Sequence, residues 1–281
     1  MAEVFSDTIC ALGEGPLWHP REKVLYWFDI LGKRLYRKDG PNETHWDFDE
    51  HVSAAGWIDE GLLLIASETS LSQFDTETGE SVFLHALEID NAVTRSNDGR
   101  ADPWGGFWIG TMGKNAEPKA GAIYRFYQGT LTRLYDNITI PNAICFAPDK
   151  RAAYFTDTPT RQIMKVALDD DGFPSGAAKV FIDTNAEELN PDGAVVDAAG
   201  NIWVAQWGAA RVACYDPDGV FQTAIPVGGA HSSCPAFGGD DLSTLYVTSA
   251  TQDIDPPYEM NGMTFVAQTH ATGQEEHRIL L

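Results

Sequence analysis

Six positions along the chain hold the same place in a repeated pattern, and most of them carry a side chain that could bind a ligand through oxygen. Each position lies six residues before the residue that begins a turn, and successive positions are 39 to 50 residues apart. The six are Glu14, Ser53, Asn97, Asn142, Asp192 and Cys234. Carboxylate and carboxamide oxygens are the ligands that hard cations such as Ca²⁺, Mg²⁺ and Mn²⁺ prefer in proteins. If the fold brings these positions together, they form an oxygen-lined site.

The repeat that sets this register consists of a turn, a short apolar run, and then small or polar residues. It occurs six times, in the segments "HPREKVLYWFDI", "IDEGLLLIASE", "DPWGGFWIGTM", "APDKRAAYFTDT", "DAAGNIWVAQW" and "GGDDLSTLYVTSA". A second run follows most of them, and a third often follows that. Several short strands in each unit of forty-odd residues are typical of a β-propeller. The sequence therefore predicts an all-β fold, a six-bladed β-propeller.

Length and composition agree with this fold. The chain has 281 residues, of which 43% are hydrophobic and 26 are glycine. Frequent aromatic residues favour strands, and frequent glycines favour turns. No internal linker interrupts the pattern, so residues 1–281 are predicted to form a single domain. The N-terminal "EVFS" is predicted to complete the sheet of the last blade and so to close the ring.

The first strand of a propeller blade lies along the central channel, so the six positions are expected to ring one mouth of that channel. Two carboxylates held close together, here Glu14 and Asp192, repel each other unless a proton or a cation lies between them. One divalent cation satisfies this requirement, and Zn²⁺ is compatible with the site although its ligand types do not favour it. The alternative is that "NDG" at 97–99 and "PDG" at 191–193 are ordinary turns and Glu14 is a solvated loop carboxylate.

The net charge and the absence of targeting signals limit the kinds of partner and cellular compartment that are expected. The formal net charge is −22, which disfavours binding to nucleic acids or to anionic membrane surfaces. No signal-peptide pattern and no apolar stretch of transmembrane length is present, so we expect a cytoplasmic protein. The four cysteines, which lie far apart in the sequence, are expected to be free thiols. The oligomeric state is not evident from the sequence.

Several segments resemble, in order, the signatures of the SMP-30/gluconolactonase/luciferin-regenerating-enzyme-like family. They are "GEGPLW" (13–18), "RSNDGRADPWGGFWIGTM" (95–112), "PNAICFAPD" (141–149), "NPDGAVVDAAGNIWVA" (190–205) and "SSCPAFGGDDLSTLYVTSA" (232–250). The resemblance covers nearly the whole chain. It implies a six-bladed propeller with one divalent metal ion in its channel, and many members of the family open the lactone ring of sugar acids.

The resemblance also implies roles for individual residues. Glu14, Asn142 and Asp192 match the metal ligands, and Asp192 also matches the proton donor and acceptor. Arg95 and Asn97 match substrate-binding positions. The chain departs from the pattern in "GKNAEPKAG" (113–121), where Asn115 stands opposite a glutamate that contacts substrate in some family members. This loop is expected to overhang the channel mouth as a lid, with Asn115 as a further substrate-binding candidate.

Together these observations predict a metal-dependent hydrolase that opens an aldonolactone, such as a glucono-, galactono-, arabino- or xylonolactone, to the free acid. The metal ion, whether Ca, Mn, Zn, Mg or Fe, and the sugar are left open. One alternative is a metal-dependent esterase acting on organophosphates, and another is a non-catalytic calcium-binding propeller. Neither a GxSxG motif nor a Walker A motif is present. Cys234, Trp207 and His231 are predicted to pack near the mouth rather than to take part in catalysis.

Overall fold

A computed structural model describes residues 1–256 and 259–281. The described residues form 24 strands and one short 3₁₀ helix, Thr158–Thr160. In chain order the strands are β1 Glu3–Ser6, β2 Gly13–His19, β3 Val24–Asp29, β4 Arg34–Asp39, β5 Asn42–Asp47, β6 Val52–Asp59, β7 Leu62–Ser67, β8 Ser70–Asp75, β9 Ser81–Ala86, β10 Thr94–Ala101, β11 Phe107–Gly113, β12 Gly121–Tyr127, β13 Thr130–Ile138, β14 Pro141–Phe146, β15 Ala152–Asp157, β16 Gln162–Ala167, β17 Lys179–Asp183, β18 Asn190–Val196, β19 Ile202–Trp207, β20 Arg211–Tyr215, β21 Phe221–Pro226, β22 His231–Gly238, β23 Thr244–Ala250 and β24 Thr264–Gln268.

The described strands form six four-stranded antiparallel sheets, the blades of a propeller, as the repeat predicted. Blades 1 to 5 are β2–β5, β6–β9, β10–β13, β14–β17 and β18–β21. Blade 6 combines β22, β23 and β24 with the N-terminal β1 as its outermost strand. The predicted completion of the last blade by "EVFS" is therefore confirmed, and it joins the N-terminal strand to the last three strands in one sheet.

The core lies between the blades. Each of six apolar clusters is built from two neighbouring blades, because alternate residues of a strand point to opposite faces of its sheet. Trp108 of blade 3, for example, meets Phe146 of blade 4 edge to face, with ring centroids 5.4 Å apart. Trp18 stacks on Tyr246 across the junction of blades 1 and 6 at 5.5 Å. This packing holds the six first strands in a ring around the channel.

The first strand of every blade contains a β-bulge next to its repeat position. The pairing register shifts between Glu14 and Leu17 in β2, for example, and between Asn142 and Cys145 in β14. Register shifts also interrupt β6, β10, β18 and β22 beside their partner strands. A bulge changes the direction in which a strand aims its side chains. The bulges therefore turn the repeat positions away from regular sheet geometry.

The tripeptides "NDG" (97–99) and "PDG" (191–193), which have the composition of turns, are not turns. Residues 97–99 lie inside β10 and residues 191–193 lie inside β18, where the bulges occur. The similar "PDG" at 217–219 does lie in the turn between β20 and β21. The alternative interpretation of the first two motifs as ordinary turns is therefore wrong.

The C-terminal segment after β24 crosses the face of the propeller opposite to the repeat positions. Its backbone hydrogen bonds reach blades 2, 3, 5 and 6, for example from the Ile279 nitrogen to the Trp57 oxygen at 2.8 Å. Glu276 in this segment forms a buried ion pair with Arg100 at the far end of β10. Within the described part of the chain, no helix has the length and apolarity needed to span a membrane.

Candidate functional site

Five of the predicted site residues meet at one mouth of the channel. Glu14, Arg95, Asn97, Asn142 and Asp192 are all buried, and all line a single cavity of about 430 Å³. They come from the first strands of blades 1, 3, 4 and 5. The cavity is thus assembled from residues that are far apart in the sequence but hold equivalent places in the repeat.

The other two repeat positions do not line the cavity. Ser53 donates a hydrogen bond from its Oγ to the Oγ of Ser96, at 2.7 Å, between blades 2 and 3. Cys234 packs against Gly193 so closely that a Cβ at Gly193 would clash with its Sγ. All four cysteines are buried and free, as expected. The packing of Cys234 against the channel strand of the neighbouring blade agrees with a structural role.

A chain of hydrogen bonds crosses three blades at the floor of the cavity. Arg95 Nη1 donates to Asn97 Oδ1 at 2.8 Å, and Asn97 Nδ2 donates to Asn142 Oδ1 at 2.9 Å. Asn142 Nδ2 donates to Thr158 Oγ1 at 3.0 Å, and Thr158 Oγ1 donates to the Pro191 oxygen at 2.8 Å. Every member is oriented by its neighbours, so these side chains are held in place before any ligand binds.

The two carboxylates take no part in this chain of hydrogen bonds, and their charges are only partly compensated by the nearby guanidinium of Arg95. Glu14 accepts one hydrogen bond, from the Gly15 backbone nitrogen at 3.0 Å. Within residues 1–256 and 259–281, neither Glu14 nor Asp192 forms an ion pair with a lysine, arginine or histidine. Burial raises the pKa of Glu14 to about 8, and the negative charge of Asp98 adds to the shift. Burial, followed by repulsion from Glu14, raises the pKa of Asp192 well above its usual value.

Asp98 is a third buried carboxylate, and sequence reasoning missed it. Its Oδ2 accepts a hydrogen bond from the Ile144 nitrogen at 2.8 Å, and burial raises its pKa to about 6. Asp98 is the second residue of the "NDG" motif, but the motif can be interpreted as a turn, in which this aspartate would be a solvent-exposed turn residue. Arg95 is buried beside these acids, and its pKa is lowered to about 10 by burial, although Glu14 opposes the shift.

This donor set fits a hard divalent cation. Two buried carboxylates in one cavity are stabilised by a proton or a cation between them, beyond the partial compensation that Arg95 provides. The Asn142 oxygen, which accepts a single hydrogen bond, retains a free lone pair. The described residues include no cluster of three or more His, Cys, Asp and Glu side chains suited to a metal ion. A cation held here would therefore depend on the carboxamide of Asn142 in addition to Glu14 and Asp192.

The cavity is lined by both polar and apolar side chains. The apolar lining consists of Leu12, Leu31, Met112, Ala116, Ile140 and Trp207. The Trp207 ring stacks on His231 with centroids 4.1 Å apart and planes 21° apart. At the rim, Lys114 Nζ is paired with Glu68 Oε2 at 2.6 Å. Sequence reasoning predicted that Trp207 and His231 pack near the mouth, and the structure confirms that position.

The loop that follows β11 lies at the rim of the cavity. Asn115 lines the cavity but is exposed, and its Nδ2 donates to Glu117 Oε1 at 3.0 Å. Its amide group is therefore held by its own loop in this conformation. Binding of substrate by Asn115, and the function of this loop as a lid, stay predictions.

Thr158 is a second residue that sequence reasoning missed. It starts the 3₁₀ helix after β15, lines the cavity and connects Asn142 to blade 5. The only sequence signal is the polar segment "TDTPT" at the end of an apolar strand. Such a segment looks like any other surface turn, and only the arrangement of the blades brings it into the site.

Comparison with known proteins identifies the family. The family model described as "SMP-30/Gluconolactonase/LRE-like region" matches residues 12–251. The chain therefore belongs to the SMP-30/gluconolactonase/LRE-like family, and the resemblance found in the sequence is confirmed.

Three relatives show how close the similarity is. The chain is 43% identical to a putative sugar lactone lactonase of Rhizobium meliloti, over 89% of this chain and 86% of the relative. It is 36% identical to an L-arabinolactonase of Azospirillum brasilense, over 99% and 95%. The crystal structure of a calcium-binding protein, regucalcin, from Agrobacterium tumefaciens superposes with a TM-score of 0.98 at 40% identity and covers 100% of this chain and 98% of that one.

Proposed function

We propose that this protein is a sugar lactone lactonase that hydrolyses an aldonolactone to the free aldonic acid with the help of one divalent cation. The observation that carries the proposal is the buried pair Glu14 and Asp192, which faces a cavity whose remaining polar groups are already oriented. The names of the Rhizobium and Azospirillum relatives support the reaction class. The calcium-binding description of the Agrobacterium structure supports the cation.

Glu14, Asn142 and Asp192 are the residues that would hold the cation. When bound, a divalent cation polarises the lactone carbonyl and increases the acidity of water. Its identity is left open among Ca, Mn, Zn, Mg and Fe. The hydrogen bond from Asn97 Nδ2 to Asn142 Oδ1 fixes the orientation of the carboxamide, and Asn142 lines the same cavity as the two carboxylates.

Asp192 is proposed as the group that transfers the proton. One oxygen of its carboxylate accepts a proton from the water that adds to the carbonyl carbon. The ring C–O bond then breaks, and the same carboxyl group returns the proton to the departing ring oxygen. A buried carboxylate is a stronger base than a solvated one, because its charged form is poorly stabilised by the surroundings.

Arg95 and Asn97 are proposed to bind the substrate. The Arg95 Nε atom is buried and has no hydrogen-bond partner among the described residues, so this guanidinium has donor capacity left for a ligand. Hydrogen bonds to the lactone hydroxyls would fix the ring relative to the attacking water, which lowers the entropic part of the barrier. Asn115 at the rim is a weaker candidate for the same task, because its amide already contacts Glu117.

The test measures acid release from a panel of aldonolactones by chelator-treated protein, with and without each cation restored. We expect acceleration that depends on the cation. Asp192→Asn is expected to lower kcat by about 100-fold or more, the usual contribution of general acid–base catalysis, when it is assayed at cation concentrations that saturate the variant. Asp183→Asn changes an exposed carboxylate on β17 and is the matched control, with unchanged turnover expected.

The other outcomes distinguish the alternatives. Full turnover by Asp192→Asn would place the base elsewhere. Turnover of a phosphotriester in preference to every lactone would favour the esterase alternative. Cation binding without turnover of either substrate class would favour a non-catalytic calcium-binding propeller.

A further inference from the structure

We propose that the indole of Trp207 forms a stacking wall for the C–H-rich face of the sugar ring, and that it contributes to substrate affinity rather than to the chemical step. This inference rests on the proposed lactonase function, because it concerns the same cavity. It names a neutral, cyclic polyhydroxylated ligand as the molecule that the cavity is shaped to hold.

The position of Trp207 is fixed by its strand pairing and by the side chain that stacks on one face of its indole. It ends β19, where it pairs with Asn190 at the start of β18, the strand that carries Asp192. One face of the indole is covered by the His231 ring at 4.1 Å. His231 is anchored in turn by the hydrogen-bonding contact of its Nδ1 with the Gln252 oxygen, at 2.9 Å. Trp207 also packs against the apolar cluster that contains Leu12 and Ala250, and it lines the cavity. We assign the part of the indole that His231 does not cover to the ligand.

Trp207 differs in kind from the rest of the lining. Among the described residues that line the cavity it is the only aromatic one, and the remaining apolar groups are aliphatic. The oriented polar groups Arg95 and Asn97 belong to blade 3, whereas Trp207 and its support belong to blades 5 and 6. The cavity therefore has a hydrogen-bonding side and an aromatic side.

An aldonolactone has matching chemistry. Its hydroxyl and carbonyl oxygens project from the ring edge, and its ring carbons present C–H groups on a face. A flat indole buries such a face without needing to satisfy a polar atom, and a cavity of this type commonly combines apolar walls with a few fixed polar groups. The Lys114 charge at the rim is already paired with Glu68, so the described residues that line the cavity offer no unpaired lysine to an anionic substituent.

The experiment compares Trp207→Ala and Trp207→Phe with the wild type in two measurements. Steady-state kinetics on the best lactone should show KM raised about tenfold in Trp207→Ala with kcat within about threefold, the size expected for loss of one aromatic contact. Trp207→Phe should restore most of the affinity, because a smaller aromatic face remains. Titration calorimetry with a cyclic pentose, which has no lactone carbonyl to hydrolyse, should show the same order of affinities.

Trp104→Phe, which alters a tryptophan outside the cavity, is the control and should leave both measurements unchanged. An active Trp207→Ala variant with unchanged KM and unchanged pentose affinity would overturn the stacking wall and leave the lactonase proposal intact. Pentose binding that depends on Trp207, in a protein that opens no lactone, would reject the lactonase and keep the wall. If Trp207→Ala does not fold, equal affinities of Trp207→Phe and Trp207→Leu would overturn the proposal.

Discussion

At the scale of single residues, the defining feature is the free-energy cost of burying the carboxylates of the site. Glu14 and Asp192 are each about 95% buried, and Asp98 adds a third negative charge near them. Buried carboxylates destabilise a fold when their charge is not fully compensated, and Arg95 offsets only part of the cost here, since the pKa values of Glu14 and Asp192 remain raised. Binding of a cation would offset this free-energy cost, because the carboxylates that repel each other would then both attract the same ion.

This reasoning predicts opposite effects of Glu14→Gln on stability and on cation binding. The folded-state pKa of Glu14, about 8, lies above the ordinary value of 4.5, so its carboxyl group costs increasing stability as pH rises between these values. Chelator-treated Glu14→Gln should therefore be more stable than chelator-treated wild type at pH 8, by about 1–2 kcal/mol in urea unfolding. Its affinity for the cation, measured by calorimetry, should fall at least tenfold.

Glu43→Gln is the control for that variant. Glu43 accepts hydrogen bonds from Ser6 and Thr8 away from the cavity, and these bonds and Lys38 hold its pKa below the ordinary value. This substitution should lower stability and leave cation affinity unchanged. Unchanged cation affinity in Glu14→Gln would remove Glu14 from the proposed ligand set.

At the scale of elements, the bulges decide where the site side chains lie. The backbone at Gly15 has a φ of +53°, and a Cβ there would clash with the Ser53 carbonyl oxygen of blade 2. The small residue after Glu14 thus permits close approach of the neighbouring blade. The nearest neighbour of a Cβ at this position is the backbone of the next first strand.

Gly15→Ala should therefore lower the free energy of unfolding by more than the loss that comes from placing alanine in a left-handed backbone conformation. Gly40 has nearly the same φ, +54°, but apart from its chain neighbours no described residue has a heavy atom within 4 Å of the position its Cβ would take. Gly40→Ala is expected to lose about 1–2 kcal/mol from the backbone conformation. Gly15→Ala should lose about 1–3 kcal/mol more, from the displaced blade. Urea unfolding of the two variants measures the difference, and equal losses would contradict a tight contact between blades 1 and 2.

At the scale of the whole molecule, the two ends of the chain close the propeller in different ways. The N-terminal β1 completes the outer edge of blade 6. The C-terminal segment ties several blades together across the opposite face and buries Glu276 against Arg100. Trp57 Nε1 also donates to the Glu276 backbone oxygen at 2.7 Å. The segment thus links the blades at the end of the channel remote from the cavity.

Loss of the Glu276 charge should destabilise the whole propeller. Glu276→Gln leaves the Arg100 guanidinium buried without its counter-charge, and removing one partner of such a pair typically costs about 3–5 kcal/mol. Arg278→Gln removes an exposed pair with Asp59, separated by 3.1 Å, and should cost about 1 kcal/mol or less. Urea unfolding compares them, and the double variant Arg100→Met/Glu276→Leu should recover most of the stability. Equal small losses in both single variants would contradict a stabilising role for the buried pair.

The sequence by itself determined the repeat, and through it the fold. Blades repeat a local pattern of turns and short apolar runs, and such patterns are visible without knowledge of distant contacts. The same periodicity identified Glu14, Asn97, Asn142 and Asp192 as equivalent positions of the repeat. Because equivalent positions of a closed ring lie around the same channel mouth, their proximity could also be predicted. Closure by the N-terminal strand followed from the same reasoning.

Only the tertiary structure decided which neighbours complete the site. Asp98 sits in a motif typical of turns and Thr158 in an ordinary polar segment, so neither carries a distinctive local signal. Their positions arise from packing between blades, where a bulge changes the direction of a side chain and the next blade supplies its partner. The ion pair of Glu276 and Arg100 spans 176 positions of the sequence, a separation that no local pattern encodes.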